Sequence, residues 1–201
     1  MPHDGERAVV KMSRLRHFVI EAVRAVERHH VNEPAILATL TPALSDLVAQ
    51  DDWLSEEYSQ PDGQTYSQYL LYGDPLDRLS ILSLVWAPGQ ETAIHDHRIW
   101  GLVGVLRGAE LSTSFDRHTD GALVPGPTTR LDAGMVTAVS PSLGDIHKIA
   151  NAYGDRPSIS IHVYGGNIGR IERASYDPLT GAARPVVSRY SNARVPNLWA
   201  A

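Results

Sequence analysis

A mainly β fold, a barrel or sandwich preceded by a helical segment, is what this sequence predicts, and three observations carry the prediction. The N-terminal part repeats its apolar residues every three or four positions; after Pro61-Asp62-Gly63 the texture changes to short β-rich runs; and glycine or proline separates most of those runs.

From Ser13 to His30, apolar Leu15, Phe18, Val19, Ala22, Val23 and Val26 alternate with Arg and Glu, which is the pattern of an amphipathic helix. Asn32-Glu33-Pro34 offers a cap and an N-terminal proline for a second helix to about Ala49, with Pro42 a candidate break, and Asp51 to Tyr58 suits a third, short one. The β-rich runs are Tyr66 to Leu71, Leu79 to Ala87, Trp100 to Leu106, Glu110 to Phe115, Met135 to Val139 and Ser158 to Tyr164. Gly73-Asp74-Pro75, Pro88-Gly89, Gly108, Gly121, Pro125-Gly126-Pro127, Ala133-Gly134 and Pro141 punctuate them. One domain is expected over residues 1–201: a helical segment (1–60), a β-barrel core (64–176) and an extended, surface-wrapping tail (177–201).

At 201 residues and 22.0 kDa the chain is long enough to enclose a buried site. A net charge of −5 with no basic stripe argues against a nucleic-acid partner. No window approaches 18 uninterrupted apolar residues and the first residues lack a signal-like apolar stretch, so no membrane partner and a cytoplasmic location are expected. Nothing in the sequence points beyond a monomer or a weak homo-oligomer. There is no cysteine, which excludes disulfides, thiolate ligands and a cysteine nucleophile. A metal must therefore be held by nitrogen and oxygen, and any reacting sulfur must come from a substrate.

Nine histidines are present, and His3, His17, His29, His30 and His118 read as surface residues. His95-Asp96-His97 is more interesting, because on a strand both imidazoles share a face and Asp96 points away, yet many such pairs bind nothing. The surrounding pattern strengthens it. Gly89 precedes by six residues, Gly108 follows, and Gly134…Pro141-x-x-Gly144-x-x-His147-x-x-x-Asn151 supplies a third histidine from a later strand pair. Ser160, His162 and Tyr164 also alternate onto one face, which taken alone describes a half-buried strand with its polar side in water. Trp100 and Tyr153 suit barrel packing, with Trp100 also a candidate wall of a pocket.

The two histidine blocks, with these glycines and this proline, resemble the paired motifs of the cupin superfamily, whose small β-barrel holds a metal in its mouth. The resemblance implies His95, His97 and His147 as the ligands; where many cupins carry a glutamate beyond the second histidine, this sequence has Gly101 and Leu102. Three histidines without that carboxylate, the helical N-terminal segment and Ser160-Ile161-His162-Val163-Tyr164 together resemble the thiol dioxygenases of the cysteine dioxygenase type I family. That likeness implies ferrous iron, a small thiol and O2, both oxygen atoms ending on sulfur as a sulfinate. It gives Ser160, His162 and Tyr164 as a catalytic relay.

Some members crosslink this tyrosine to a cysteine, which is impossible here, and Gly101 stands close to where that cysteine would fall. Gln68 replaces the arginine of the cysteine-selective members, so the chain is similar to the glutamine-type branch that includes 3-mercaptopropionate dioxygenases. There the carboxylate is met by an arginine after the tyrosine strand: Arg173, with Arg170 as fallback. Expected substrate contacts are Arg173, Gln68, Tyr164 and Trp100. Ligand type alone leaves zinc, copper and nickel open, and with them cupin hydrolase or isomerase chemistry, or ligand binding without turnover. Cysteine, mercaptosuccinate and cysteamine remain alternative thiols.

Overall fold

The computed structural model describes residues 4–63 and 65–199, with side chains from Ser13 onward; His3 lies outside the described residues. Helices α1 (Asp4–His29) and α2 (Glu33–Val48) and a 3-10 turn (Glu56–Tyr58) come first. Eleven strands follow among the described residues: β1 (Ser67–Gly73), β2 (Ser80–Trp86), β3 (Ile94–His95), β4 (Gly101–Arg107), β5 (Ala109–Arg117), β6 (Leu123–Asp132), β7 (Val136–Val139), β8 (His147–Asn151), β9 (Ser158–Tyr164), β10 (Arg173–Tyr176) and β11 (Ala183–Val186). They form two antiparallel sheets, ordered β1-β2-β9-β4-β7 and β11-β10-β3-β8-β5-β6. The fold is mainly β, two antiparallel sheets with an N-terminal helical pair.

The helices explain why β2 and β9 are buried along their whole length. Ile159, Ile161 and Val163 of β9, with Ile81 and Val85 of β2, pack into one core with Leu15, Phe18, Ala22, Leu40 and Leu44 of the helices. The other face of β2 presents Leu82, Leu84 and Trp86 to the barrel interior, and that of β9 presents Tyr164. Alternation along a strand thus serves two cores, one under the helices and one inside the barrel. Each such aliphatic side chain contributes at most about 1.5–3 kcal/mol of burial. At Gly104 a Cβ would come within 3.0 Å of Leu44 and of Val48, so glycine is what lets α2 lie directly on β4.

Several expectations need correcting. Helix α2 runs through Pro42 unbroken, with the Thr41 hydroxyl donating to the Leu37 carbonyl at 2.7 Å beside the position where proline offers no N–H. Only the 3-10 turn forms in the stretch 51–58. Strand β6 crosses Pro125-Gly126-Pro127, because it is an outer edge strand whose pairing with β5 is already irregular between Thr113 and Phe115. Strands β3, β8, β10 and β11 have two to five residues each, too few to show a period. His29 is half-buried, its Nε2 facing the Thr39 hydroxyl at 3.2 Å. Within residues 177–201, β11 pairs with β10, while Ser191 and Asn192 hydrogen-bond the backbone of Gln68 and Leu70 on the open edge of β1. No described helix is long and apolar enough to cross a membrane.

Candidate functional site

Strands β3 and β8 touch through one register pair, His95 with His147. Just before β3, the Thr92 N–H donates to the Ile149 carbonyl and the Thr92 hydroxyl accepts from the Ile149 N–H, which locks the two strands in phase. His97 follows two residues later, and the three ring centroids stand 4.8 to 4.9 Å apart. One nitrogen from each ring lies within 4.8 Å of the others.

The remaining nitrogens indicate which atoms are free. His95 Nδ1 sits 3.0 Å from the Ala93 carbonyl, so it donates there and leaves Nε2 as a lone pair. His97 Nδ1 faces the Asp145 carboxylate at 2.9 Å, which fixes its tautomer in the same sense. Asp145 also accepts from the backbone N–H of His97 and of Arg98, the latter made possible by a left-handed turn at Arg98 (φ 60°). Burial pushes His95 down to about 4 and holds His97 and His147 well below the ordinary imidazole value, with the neighbouring histidines adding to the effect at His97 and His147. Three neutral imidazoles, two of them with the outer nitrogen tied back, are a donor set that fits a divalent ion. Asp145→Ala is expected to weaken metal affinity roughly 10–100-fold with the fold intact, measured by competition against a chelator; unchanged affinity would rule out the orienting role.

On β9, Ser160 Oγ lies 2.8 Å from His162 Nε2 and His162 Nδ1 lies 2.8 Å from the Tyr164 hydroxyl. This polar face, which alternation alone would leave in water, is buried. The Tyr164 ring stacks on His97 at 5.5 Å, which joins this row to the triad. Burial raises the Tyr164 phenol and holds His162 down to about 3, so both stay neutral near pH 7.

A small cavity of about 20 Å³ brings the three histidines, His162 and Tyr164 together with Tyr66, Gln68, Trp86 and Arg173. Arg173 is 5% exposed; it donates from Nη1 to the Asp96 carbonyl at 3.3 Å and from Nη2 to Ser188 Oγ. Its Nε and the Nε2 of Gln68 are buried donors without a partner. Arg170, by contrast, is exposed and paired with Asp77 at 2.8 Å. The Asp96 carboxylate faces away from the triad, accepting from the Ala174 N–H and the Tyr176 hydroxyl.

Trp100 does not line the cavity. Gly101 faces the interior, where a Cβ would come within 2.9 Å of the Tyr164 ring, so its neighbour is turned outward into the core beneath the helices. The indole that walls the cavity is Trp86, stacked on Tyr66 at 4.6 Å. Sequence reasoning also missed Asp145 and the buried Glu110; the one available signal was a carboxylate two residues before His147.

No protein-family profile matches the chain. It is similar to cysteine dioxygenase type 1 of Danio rerio, 25% identical over 117 residues that make up 56% of each chain; the chain spans about half the length of that curated relative. Among solved structures, it is similar to a conserved protein with a double-stranded β-helix domain from Klebsiella pneumoniae (24% identity, TM-score 0.44, 57% of this chain and 90% of that one). It is likewise similar to a cupin superfamily protein from Desulfitobacterium hafniense (17% identity, TM-score 0.42, 62% and 88%).

Proposed function

We infer that this protein is a non-haem iron(II) thiol dioxygenase acting on a small mercapto-carboxylate, with 3-mercaptopropionate the best-fitting substrate. The observation that carries the reading is the pair of unpartnered buried donors, Arg173 Nε and Gln68 Nε2, in the same cavity as three neutral imidazoles. Likeness to a cysteine dioxygenase supports the reaction class.

Ferrous iron, when held by His95, His97 and His147, would activate dioxygen and favour the thiolate of a bound thiol. The neutral ligands leave the ion's charge uncompensated, so an anionic substrate suits the site. Arg173 meets the carboxylate and Gln68 orients it, a single guanidinium matching a substrate with no amino group to place. Tyr164 holds a proton at its hydroxyl beside the reacting sulfur, and Ser160 and His162 set the angle of that hydroxyl. The cavity is narrow enough to exclude bulk water around these groups. The balance is closed: a thiolate and one O2 give a sulfinate, with no external reductant.

Reconstitution with ferrous iron under anaerobic conditions, followed by oxygen uptake with 3-mercaptopropionate, cysteine, cysteamine and mercaptosuccinate, tests the reading. Uptake with sulfinate formation, fastest for 3-mercaptopropionate, is expected. Iron-loaded protein that consumes no oxygen with any thiol would overturn the proposal, and activity surviving in zinc-loaded protein without oxygen would point to hydrolytic chemistry.

A further inference from the structure

Glu110 on β5 is fully buried in the barrel interior, and neither carboxylate oxygen has a hydrogen-bond partner in good geometry. It nevertheless lies against Ser160 and the Trp86 indole, both of which favour its charged form. Trp86 Nε1 also donates to Ser160 Oγ at 3.3 Å. Ser160 is the far end of the row that leads through His162 to Tyr164. Along β9 the titratable groups on this side are His162 and Tyr164. Strand β2 presents Trp86, β6 presents Leu131, and β8 presents Asn151, with His147 four positions away along the strand.

We propose that Glu110 is a positioning residue whose protonation sets the direction in which the Ser160–His162–Tyr164 row points its protons. This rests on the dioxygenase reading only for what Tyr164 meets in the cavity. As a carboxylic acid, Glu110 donates to Ser160 Oγ, which also receives the Trp86 N–H. The Ser160 hydroxyl then donates to His162 Nε2, His162 Nδ1–H donates to the Tyr164 oxygen, and the Tyr164 proton is offered to the cavity. As a carboxylate, Glu110 accepts from Ser160, Ser160 accepts from His162 Nε2–H, and Tyr164 donates to His162 Nδ1. Tyr164 then shows the cavity only a lone pair. Beyond a small turn of the Glu110 carboxyl towards Ser160 Oγ, the heavy atoms stay in place; one proton leaves Glu110 for solvent, and His162 changes tautomer while remaining neutral.

Burial pushes the Glu110 carboxyl up to about 7, so both states are accessible near neutral pH. The carboxyl is held protonated in the fold above the pH at which it ionises in the unfolded chain. Its stabilisation is therefore complete below the unfolded value of 4.5 and lost as pH rises through about 7.

The ring 15N shifts of His162 in metal-free protein, followed from about pH 5.5 to about pH 8.5, read the tautomer directly. Wild type is expected to pass from Nδ1–H to Nε2–H with a midpoint near that of the Glu110 carboxyl carbon, whereas Glu110→Gln should hold one tautomer throughout. In thermal melts, the Tm of wild type should fall relative to that of the Gln variant as pH rises through neutrality. With iron and thiol, kcat/KM of wild type should change about tenfold over the same range and that of the variant should stay flat. A single His162 tautomer in wild type, or a switch that persists in Glu110→Gln, would overturn the proposal. Absence of thiol-dependent oxygen uptake alongside an intact tautomer switch would count against the dioxygenase reading alone.

Discussion

His147→Ala is expected to abolish stable metal binding and, with it, all metal-dependent turnover. The residue is the point at which the second histidine block reaches the first: with His95 it forms the register pair that joins β3 and β8. Removing it leaves two imidazoles, one of them half-buried, and ends the facial arrangement needed to hold a labile divalent ion. A ligand present at about 1,000 times its Kd stabilises the folded chain by roughly 4 kcal/mol, which for a protein of this size corresponds to a Tm rise of about 8–16 °C. Wild type should show a shift of that order on anaerobic addition of ferrous iron, and His147→Ala almost none. Metal content after dialysis checks the same point independently. A variant that retains one equivalent of metal would remove His147 from the ligand set.

How far such a site can be read in advance depends on which residues announce themselves by spacing. His95, His97 and His147 do, because glycines at turns and alternation on strands are local properties. Ser160, His162 and Tyr164 share a face for the same reason, although their burial is decided by the opposite sheet and by two helices stacked behind β9. At Trp100 the local pattern misleads. A tryptophan three residues beyond the histidine pair looks like a pocket wall, but the phase of β4 gives the interior to Gly101 and sends the indole the other way. Glu110 is the sharper case. It begins a β-rich run with no local sign of burial, and only the lateral order of β5 and β9 across the barrel brings it under Ser160. Strand β6 was hidden by its prolines, which a central strand could not accept and an edge strand can.

Arg173→Ala is expected to lower kcat/KM for 3-mercaptopropionate by roughly 30–1,000-fold, the equivalent of about 2–4 kcal/mol for a charge-assisted contact in a buried site. Kinetics with cysteamine, which has a thiol and no carboxylate, should be nearly unchanged. The reasoning starts from the unliganded protein. A guanidinium taken out of water costs several kcal/mol unless an anion answers it, yet Arg173 forms no ion pair among the described residues and is met by a backbone carbonyl and a hydroxyl. Its charge is felt across the cavity, where it lowers the pKa of His95, His97, His147, His162 and Tyr164 alike. A substrate carboxylate at Nε would supply the missing counter-charge and use Gln68 Nε2 as a second donor. Arg173→Lys should recover little, because an ammonium cannot present the planar fork and its stem does not reproduce the contact with the Asp96 carbonyl. A merely structural arginine would behave differently: cysteamine and the acids would lose activity together, in step with a lower Tm. That outcome would move the carboxylate anchor elsewhere in the cavity, since Arg170 is committed to Asp77 on the surface.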